Sequence, residues 1–271
     1  MWRSWLWRIA QLVLSLICAV LLSCALSALS RPAHGAFGYG QNLAASVVDS
    51  IHGRSGISSV TLHPALVDVF AAWPVTLGLL LSGGALALAL GIPLGILLTN
   101  RMLLRIAGPL IQIVSATPLF AMCLLFAWWN TSALGRPLAG VLPSLIIGGV
   151  GAGYLQIALR RAVAVASGFP HRTGLRMMGL SALDVDLRYV LPEIVADMCV
   201  HFGAFVLVLL SAIAIVEFSF GIPGAASLFF ASAVHRDWSV IALVLLSFAA
   251  AKLIADFLGW AIEHSLVKGR G

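Results

Sequence analysis

The chain has 271 residues, of which 61% are hydrophobic and only 10% charged, whereas a soluble globular domain carries roughly 25% charged residues. That balance excludes an ordinary water-soluble fold, and because a spanning helix takes about 20 mostly apolar residues, the length holds several spans but no large extramembrane domain. The net charge of +6 does not indicate nucleic acid, since Lys and Arg sit in the short connections between apolar runs and not on one basic face with interleaved aromatics.

Apolar runs predict six helical spans near residues 9–30, 67–99, 104–129, 139–159, 193–216 and 239–262, an all-α polytopic membrane protein. Arg3 and Arg8 precede the first run, from Ile9 to Leu29, as they would in a signal peptide. The run is longer than the roughly 7 to 15 residues of a signal core, which favours an uncleaved first span. The second run is long enough to include an interfacial entry at Asp68 to Trp73.

Six spans place both ends on one side. Arg3, Arg8, Arg101, Arg105, Arg160, Arg161, Arg172, Arg176, Arg188, Lys268 and Arg270 fall in one set of connections, and Arg31, Arg54, Arg136 and Arg236 in the other. The excess of positive residues marks the cytoplasmic side, so both termini are expected in the cytoplasm of a cell whose inner membrane the chain crosses.

The connections differ in character. Ser30 to about Leu66 is a polar, Gly-rich outer loop, Asn100 to Leu103 a tight inner turn, and Trp128 and Trp129 stand where interfacial aromatics are favoured, ahead of Asn130, Gly135, Arg136 and Pro137. The one sizeable cytoplasmic segment is residues 160–192. Gly168 and Pro170 end any helix leaving the fourth span, and two short helices, His171 to Met178 and Leu180 to Val190, can form around Gly179. Leu175, Met178, Val185 and Tyr189 recur at helical spacing, a face suited to a partner or to the membrane surface. The organisation expected is a first helix and outer loop over 1–66 and a core domain over 67–271 that contains the 160–192 segment.

No catalytic constellation emerges. A phosphate-cradling loop needs lysine after glycine, but the only lysines, Lys252 and Lys268, follow Ala251 and Val267. HExxH and GxSxG are absent, and Cys18, Cys24, Cys123 and Cys199 all lie inside apolar runs as small packing residues. Neither a metal nor a cofactor is expected in this chain. His34, His52, His63 and His235 are all expected outside, but their spacing matches no ligand motif.

Ionisable groups within spans are candidates by default, because each costs at least about 2.5 kcal/mol at mid-bilayer if unpaired. Asp197 with His201, and Lys252 with Asp256, stand four apart and can pair along one helix face; a proton or ion relay is the functional alternative. Glu217 ends the fifth span, after which Gly221, Pro223 and Gly224 force a sharp turn and Ala225 to Val234 can form a short helix, shaped either as the mouth of a pathway or as a plain loop. Gly91, Gly95, Gly148, Gly149, Gly151 and Gly153 permit close helix approach in lipid.

Three stretches resemble the binding-protein-dependent transport permeases, in particular their peptide/nickel branch and its first-subunit dipeptide and oligopeptide permeases. Trp73-Pro74-Val75-Thr76-Leu77 followed by Leu90-Gly91-Ile92-Pro93-Leu94-Gly95 resembles the branch's P-A-T-L and L-G-I-P-L-G opening of the core. Arg176, Gly179, Leu180 and Ser181, with Leu191-Pro192 further on, resemble the coupling loop that docks the ATPase subunit, although Thr173-Gly174-Leu175 replaces the family's Glu-Ala-Ala start. Val216-Glu217, Phe220-Gly221-Ile222-Pro223-Gly224 and then His235-Arg236-Asp237-Trp238 resemble the branch's V-E…F-G-I-P-G and R-D-Y/W, the most specific of the three.

The resemblance implies the type I ABC importer permease fold, with Arg172, Arg176, Gly179, Leu180, Ser181, Leu191 and Pro192 at the ATPase contact and Glu217, Gly221, Pro223, Gly224, Arg236 and Asp237 at an outer gate or turn. It also implies a second permease, two ATP-binding subunits that hold the ATP, and an extracytoplasmic substrate-binding protein. The expected cargo is a di- or oligopeptide, with nickel or a metallophore as the runner-up. A stand-alone secondary transporter would want inverted repeats and ionisable residues in mid-span.

Overall fold

The computed structural model describes residues 57–98, 118–131, 141–167 and 177–268 apart from 59 and 180, together with residue 105 and scattered positions from 10 to 48. In chain order the helices are α1 (Ala65–Leu97), α2 (Leu119–Thr131), α3 (Leu142–Ser167), α4 (Ala182–Val185), α5 (Leu191–Val200), α6 (Phe202–Phe220), α7 (Ala225–Val234) and α8 (Trp238–Lys268). Among the described residues there is no strand, only an isolated bridge between Ile57 and Pro64.

Backbone polar groups in lipid must bond within their own segment, which is why an apolar run of this length folds as helix. Among the described residues four helices, α1, α3, α6 and α8, are long and apolar enough to cross a bilayer. The 33 residues of α1 extend about 50 Å at 1.5 Å per residue, well beyond the ~30 Å hydrocarbon core, so it also covers the entry expected at Asp68.

Of the two remaining spans expected from sequence, the first is described only as a shorter apolar helix, Val13–Leu22. The third is represented by α2, most of 104–117 lying outside the described residues. The fourth span is longer than expected: α3 passes residue 159 and takes Arg160 and Arg161 with it to Ser167. The physical reason is burial of Leu159, Ala162 and Ala166 against Ile194 of α5, with Val163, Val190 and Met198 around them. Leu191 and Pro192, expected to close the cytoplasmic segment, instead begin α5, where a proline in the first turn forfeits no helical hydrogen bond.

The chain forms two compact units. One comprises residues 1–78 and 217–253, the other residues 79–216 and 254–271. In the first, Ala65 and Val69 of α1 meet Val240 and Val244 of α8, each pair one helical turn apart, with Trp73, Leu228, Phe229, Leu243 and Phe248 closing over them. Trp73 meets Phe248 edge-on at 5.7 Å.

In the second unit a small-residue seam joins the C-terminal part of α1 to α3. Gly83 faces Ile147, Gly91 faces Ala152 and Leu155, and Gly95 faces Leu159. Both helices advance together along these contacts, so they run parallel. A Cβ at Gly91 would lie 2.9 Å from Leu155 Cβ and 3.0 Å from Ala152 Cα, closer than carbon atoms approach. Ser82 and Ser144 share a hydrogen bond of 2.8 Å across the same pair, and lipid-embedded helices use both devices, since lipid supplies no hydrophobic drive between them. Gly148 and Gly151 also face close neighbours, as expected, whereas Gly149 and Gly153 have nothing within 4 Å among the described residues.

Candidate functional site

The turn between α6 and α7 is built on Gly221. Its φ of +64° is a left-handed conformation that side chains disfavour, and Ile222 N–H reaches back to the Glu217 carbonyl at 2.9 Å. That backward bond closes a Schellman motif at the end of α6. Pro223 follows, unable to continue the helix, and Gly224 takes the N-cap position of α7 in extended conformation without a capping side chain of its own.

A helix start has unsatisfied N–H groups that need acceptors. For α7 they come from Thr76, far along the chain, and from Glu217 near the end of α6. Ala225 N–H donates to the Thr76 hydroxyl at 2.8 Å, and Ala226 and Ser227 N–H donate to Glu217 Oε2 at 2.8 and 3.0 Å. The Thr76 hydroxyl in turn donates to Glu217 Oε1 at 2.7 Å. Both Glu217 and Thr76 are completely buried.

A buried carboxylate is tolerable only when its oxygens are hydrogen-bonded, and here three donors and the positive end of the α7 dipole supply what water would. Gly224 is required beside it, because a Cβ there would fall on the Glu217 carboxyl group.

A second clasp of the same kind starts α8. Asp237 is 3% exposed; its Oδ2 accepts from the Ser58 hydroxyl at 2.6 Å, and its Oδ1 faces Val240 N–H at 3.5 Å. Ser58 Oγ also accepts from the amides of Val60 and Thr61, which fixes the turn leading into α1. Arg236 just before it is exposed and held at φ +56°. Its N–H bonds the Ala233 carbonyl and that of Asp237 the Ser232 carbonyl, so α7 ends by the same motif as α6, with arginine where α6 has glycine.

The residues expected at the outer turn are therefore gathered in one unit, but in distinct roles. Glu217 and Asp237 are buried helix caps, Gly221 and Arg236 occupy left-handed turn positions, and Gly224 clears space for a carboxylate. Sequence reasoning missed their partners Thr76 and Ser58. Thr76 carried a signal, because a hydroxyl within an apolar span needs a hydrogen-bond partner.

In the second unit, Gly179 adopts φ +87° beside the fully exposed Met177 and Met178. Ser181 caps α4, accepting from Asp184 N–H at 3.1 Å and donating to the Asp184 carboxylate at 2.6 Å. Between α4 and α5 the chain makes a π-helical turn, Asp186–Val190. Arg172, Arg176 and Leu180, expected at the ATPase contact, lie outside the described residues.

The pairing expected of Asp197 and His201 takes another form, His201 Nδ1 meeting the Asp197 backbone carbonyl at 2.8 Å. Both residues are exposed. Among the described residues no group of three or more His, Cys, Asp and Glu is placed to hold a metal ion. His63 and His235 are exposed, and His34 and His52 lie outside the description.

Comparison with known proteins bears on this arrangement. Residues 87–268 match the family described as the binding-protein-dependent transport system inner membrane component. Among solved structures, the chain is similar to the MetNI methionine ABC transporter in its inward-facing conformations (CY5 native crystal form), with a TM-score of 0.61 and 17% identity over 75% of this chain and 98% of that one. At that identity the likeness is one of fold. No curated protein matches the sequence significantly.

Proposed function

Since the chain belongs to the family of binding-protein-dependent transport system inner membrane components, it is a multi-pass permease subunit of an ABC importer, and we propose that its cargo is a di- or oligopeptide or a related peptide-like solute. The observation that supports this reading is that Val216-Glu217, Phe220-Gly221-Ile222-Pro223-Gly224 and His235-Arg236-Asp237-Trp238 resemble the peptide branch's V-E…F-G-I-P-G and R-D-Y/W. Its Glu217, Gly221, Gly224 and Asp237 each have a defined physical task in holding α6, α7 and α8.

In this reading the chain pairs with a second permease in the inner membrane, its termini in the cytoplasm. Two ATP-binding subunits dock on the segment around Gly179, and a binding protein delivers cargo from outside. ATP is bound and hydrolysed by the partner subunits; this chain supplies only the moving path. Closure of the ATPases on ATP pulls the Gly179 segment and shifts the balance between inward- and outward-open states. The α6–α7 turn, with Glu217, Gly221, Pro223, Gly224, Arg236 and Asp237, forms part of the outer gate.

The test is uptake by proteoliposomes that hold the complete complex, with the binding protein outside and ATP inside. Labelled tripeptide is expected to accumulate and unlabelled peptides to compete, while nickel, a nickel chelate or methionine do not. Competition by nickel or its chelate alone reassigns the cargo to a metallophore, and competition by methionine alone to an amino acid.

A further inference from the structure

Two consecutive helices, α7 and α8, begin in the same way: a buried acid caps the amides, and a hydroxyl from the α1 end of the chain bonds the acid. Thr76 serves Glu217, and Ser58 serves Asp237. Two separate points, eighteen positions apart in sequence, thus pin the start of α1 to the starts of α7 and α8. Between them, Ala65, Val69 and Trp73 pack on Val240, Val244 and Phe248. Polar pins at both ends of an apolar contact fix its register, because a slide that dispersion forces would tolerate strands buried donors and a buried carboxylate.

We propose that Thr76 and Glu217, with Ser58 and Asp237, are positioning residues for transport: they hold the N-terminal part of α1 to α7 and α8 as one rigid body that stays closed through the transport cycle. Rearrangement between inward- and outward-open states then moves this body, with the outer turn it contains, as one piece. The geometry carries this because the first clasp joins Thr76, Glu217 and the Ala225, Ala226 and Ser227 amides in one buried set of hydrogen bonds, and the second ties Asp237 to Ser58. Opening the first would break the hydrogen bonds of three amides, a hydroxyl and a buried carboxylate together. This inference rests on the importer reading above.

The experiment uses the full complex in lipid nanodiscs, with hydrogen exchange over residues 222–230 measured in the nucleotide-free state and in the state trapped with ATP and vanadate. The Ala225, Ala226 and Ser227 amides are expected to exchange equally slowly in both, within about threefold; acceleration of about tenfold or more on trapping, which corresponds to opening of the clasp, overturns the proposal. Thr76→Val keeps the shape and removes the hydroxyl, and is expected to cut ATP-driven uptake at least about tenfold while the complex still assembles and hydrolyses ATP. Thr76→Ser restores the hydroxyl and is expected to restore uptake.

Equal uptake by the Val and Ser variants also overturns the proposal. Should Thr76→Val fail to assemble, the wild-type exchange measurement decides alone. A wild-type complex that takes up no cargo on ATP refutes the importer reading itself, and this inference with it; normal uptake with a clasp that opens refutes only the inference.

Discussion

At Gly224 a single methyl group separates a tolerated residue from a damaging one. A Cβ there meets the Glu217 carboxyl group, whose position is fixed by three donors. Gly224→Ala is therefore expected to displace the carboxylate from the α7 amides and to cost more than the loss of an ordinary helix cap, about 1 kcal/mol, read as a fall in the midpoint of thermal unfolding in detergent. Gly221→Ala strains the backbone at φ +64° without a clash, for about 1–2 kcal/mol. The order of the two midpoints checks the account, Gly224→Ala lying below Gly221→Ala.

Gly179 is constrained differently from what its motif suggests. A glycine at a docking turn invites an argument from lack of room, yet among the described residues nothing lies within 4 Å of its missing side chain, and φ is +87°. Backbone conformation is the limit. Gly179→Asn, which tolerates left-handed angles, is accordingly expected to retain more ATP-driven uptake than Gly179→Val, and Gly179→Asp, which adds charge at the proposed ATPase contact, to lose most of it.

At the scale of elements, the seam between α1 and α3 is the feature that the sequence displayed and the structure placed. Gly91 and Gly95 repeat at four-residue spacing and face Ala152, Leu155 and Leu159. Gly91→Leu is expected to force the helices apart and to lower the unfolding midpoint strongly, by the 1–3 kcal/mol typical of overpacking. Gly149→Leu, where space is open, is expected to leave the midpoint of the isolated chain nearly unchanged. Comparable losses from both would contradict the seam.

Long apolar runs and turn glycines were legible in the sequence because hydrophobic length and backbone permissiveness are local properties. The partners of Glu217 and Asp237 were not. Thr76 and Ser58 reach them over separations of 141 and 179 residues, and no local periodicity encodes such a pairing. The end of α3 was misplaced for a related reason: Arg160 and Arg161 look like a boundary, but burial of Ala162 and Ala166 on α5 carries the helix onward. Asp197 and His201 were paired by spacing, whereas the imidazole chose the nearer backbone carbonyl.

For the molecule as a whole, membership of the permease family accounts for the apolar composition, for the four helices among the described residues that are able to cross a bilayer, and for the lack in its sequence of a Walker-type phosphate-binding loop. On the proposed reading, energy from ATP reaches the permease through contact with its partners. The central claim is thus that this chain works only with ATP-binding partners attached around Gly179. Expressing it with the genes that flank its own, extracting the membranes in mild detergent and purifying through a tag on this chain alone tests that claim most directly. The account predicts that ATPase subunits co-purify in stoichiometric amount with wild type and are released by Gly179→Asp, while the permease itself stays folded. A chain that purifies alone, intact, and moves cargo down an ion gradient without ATP would contradict it.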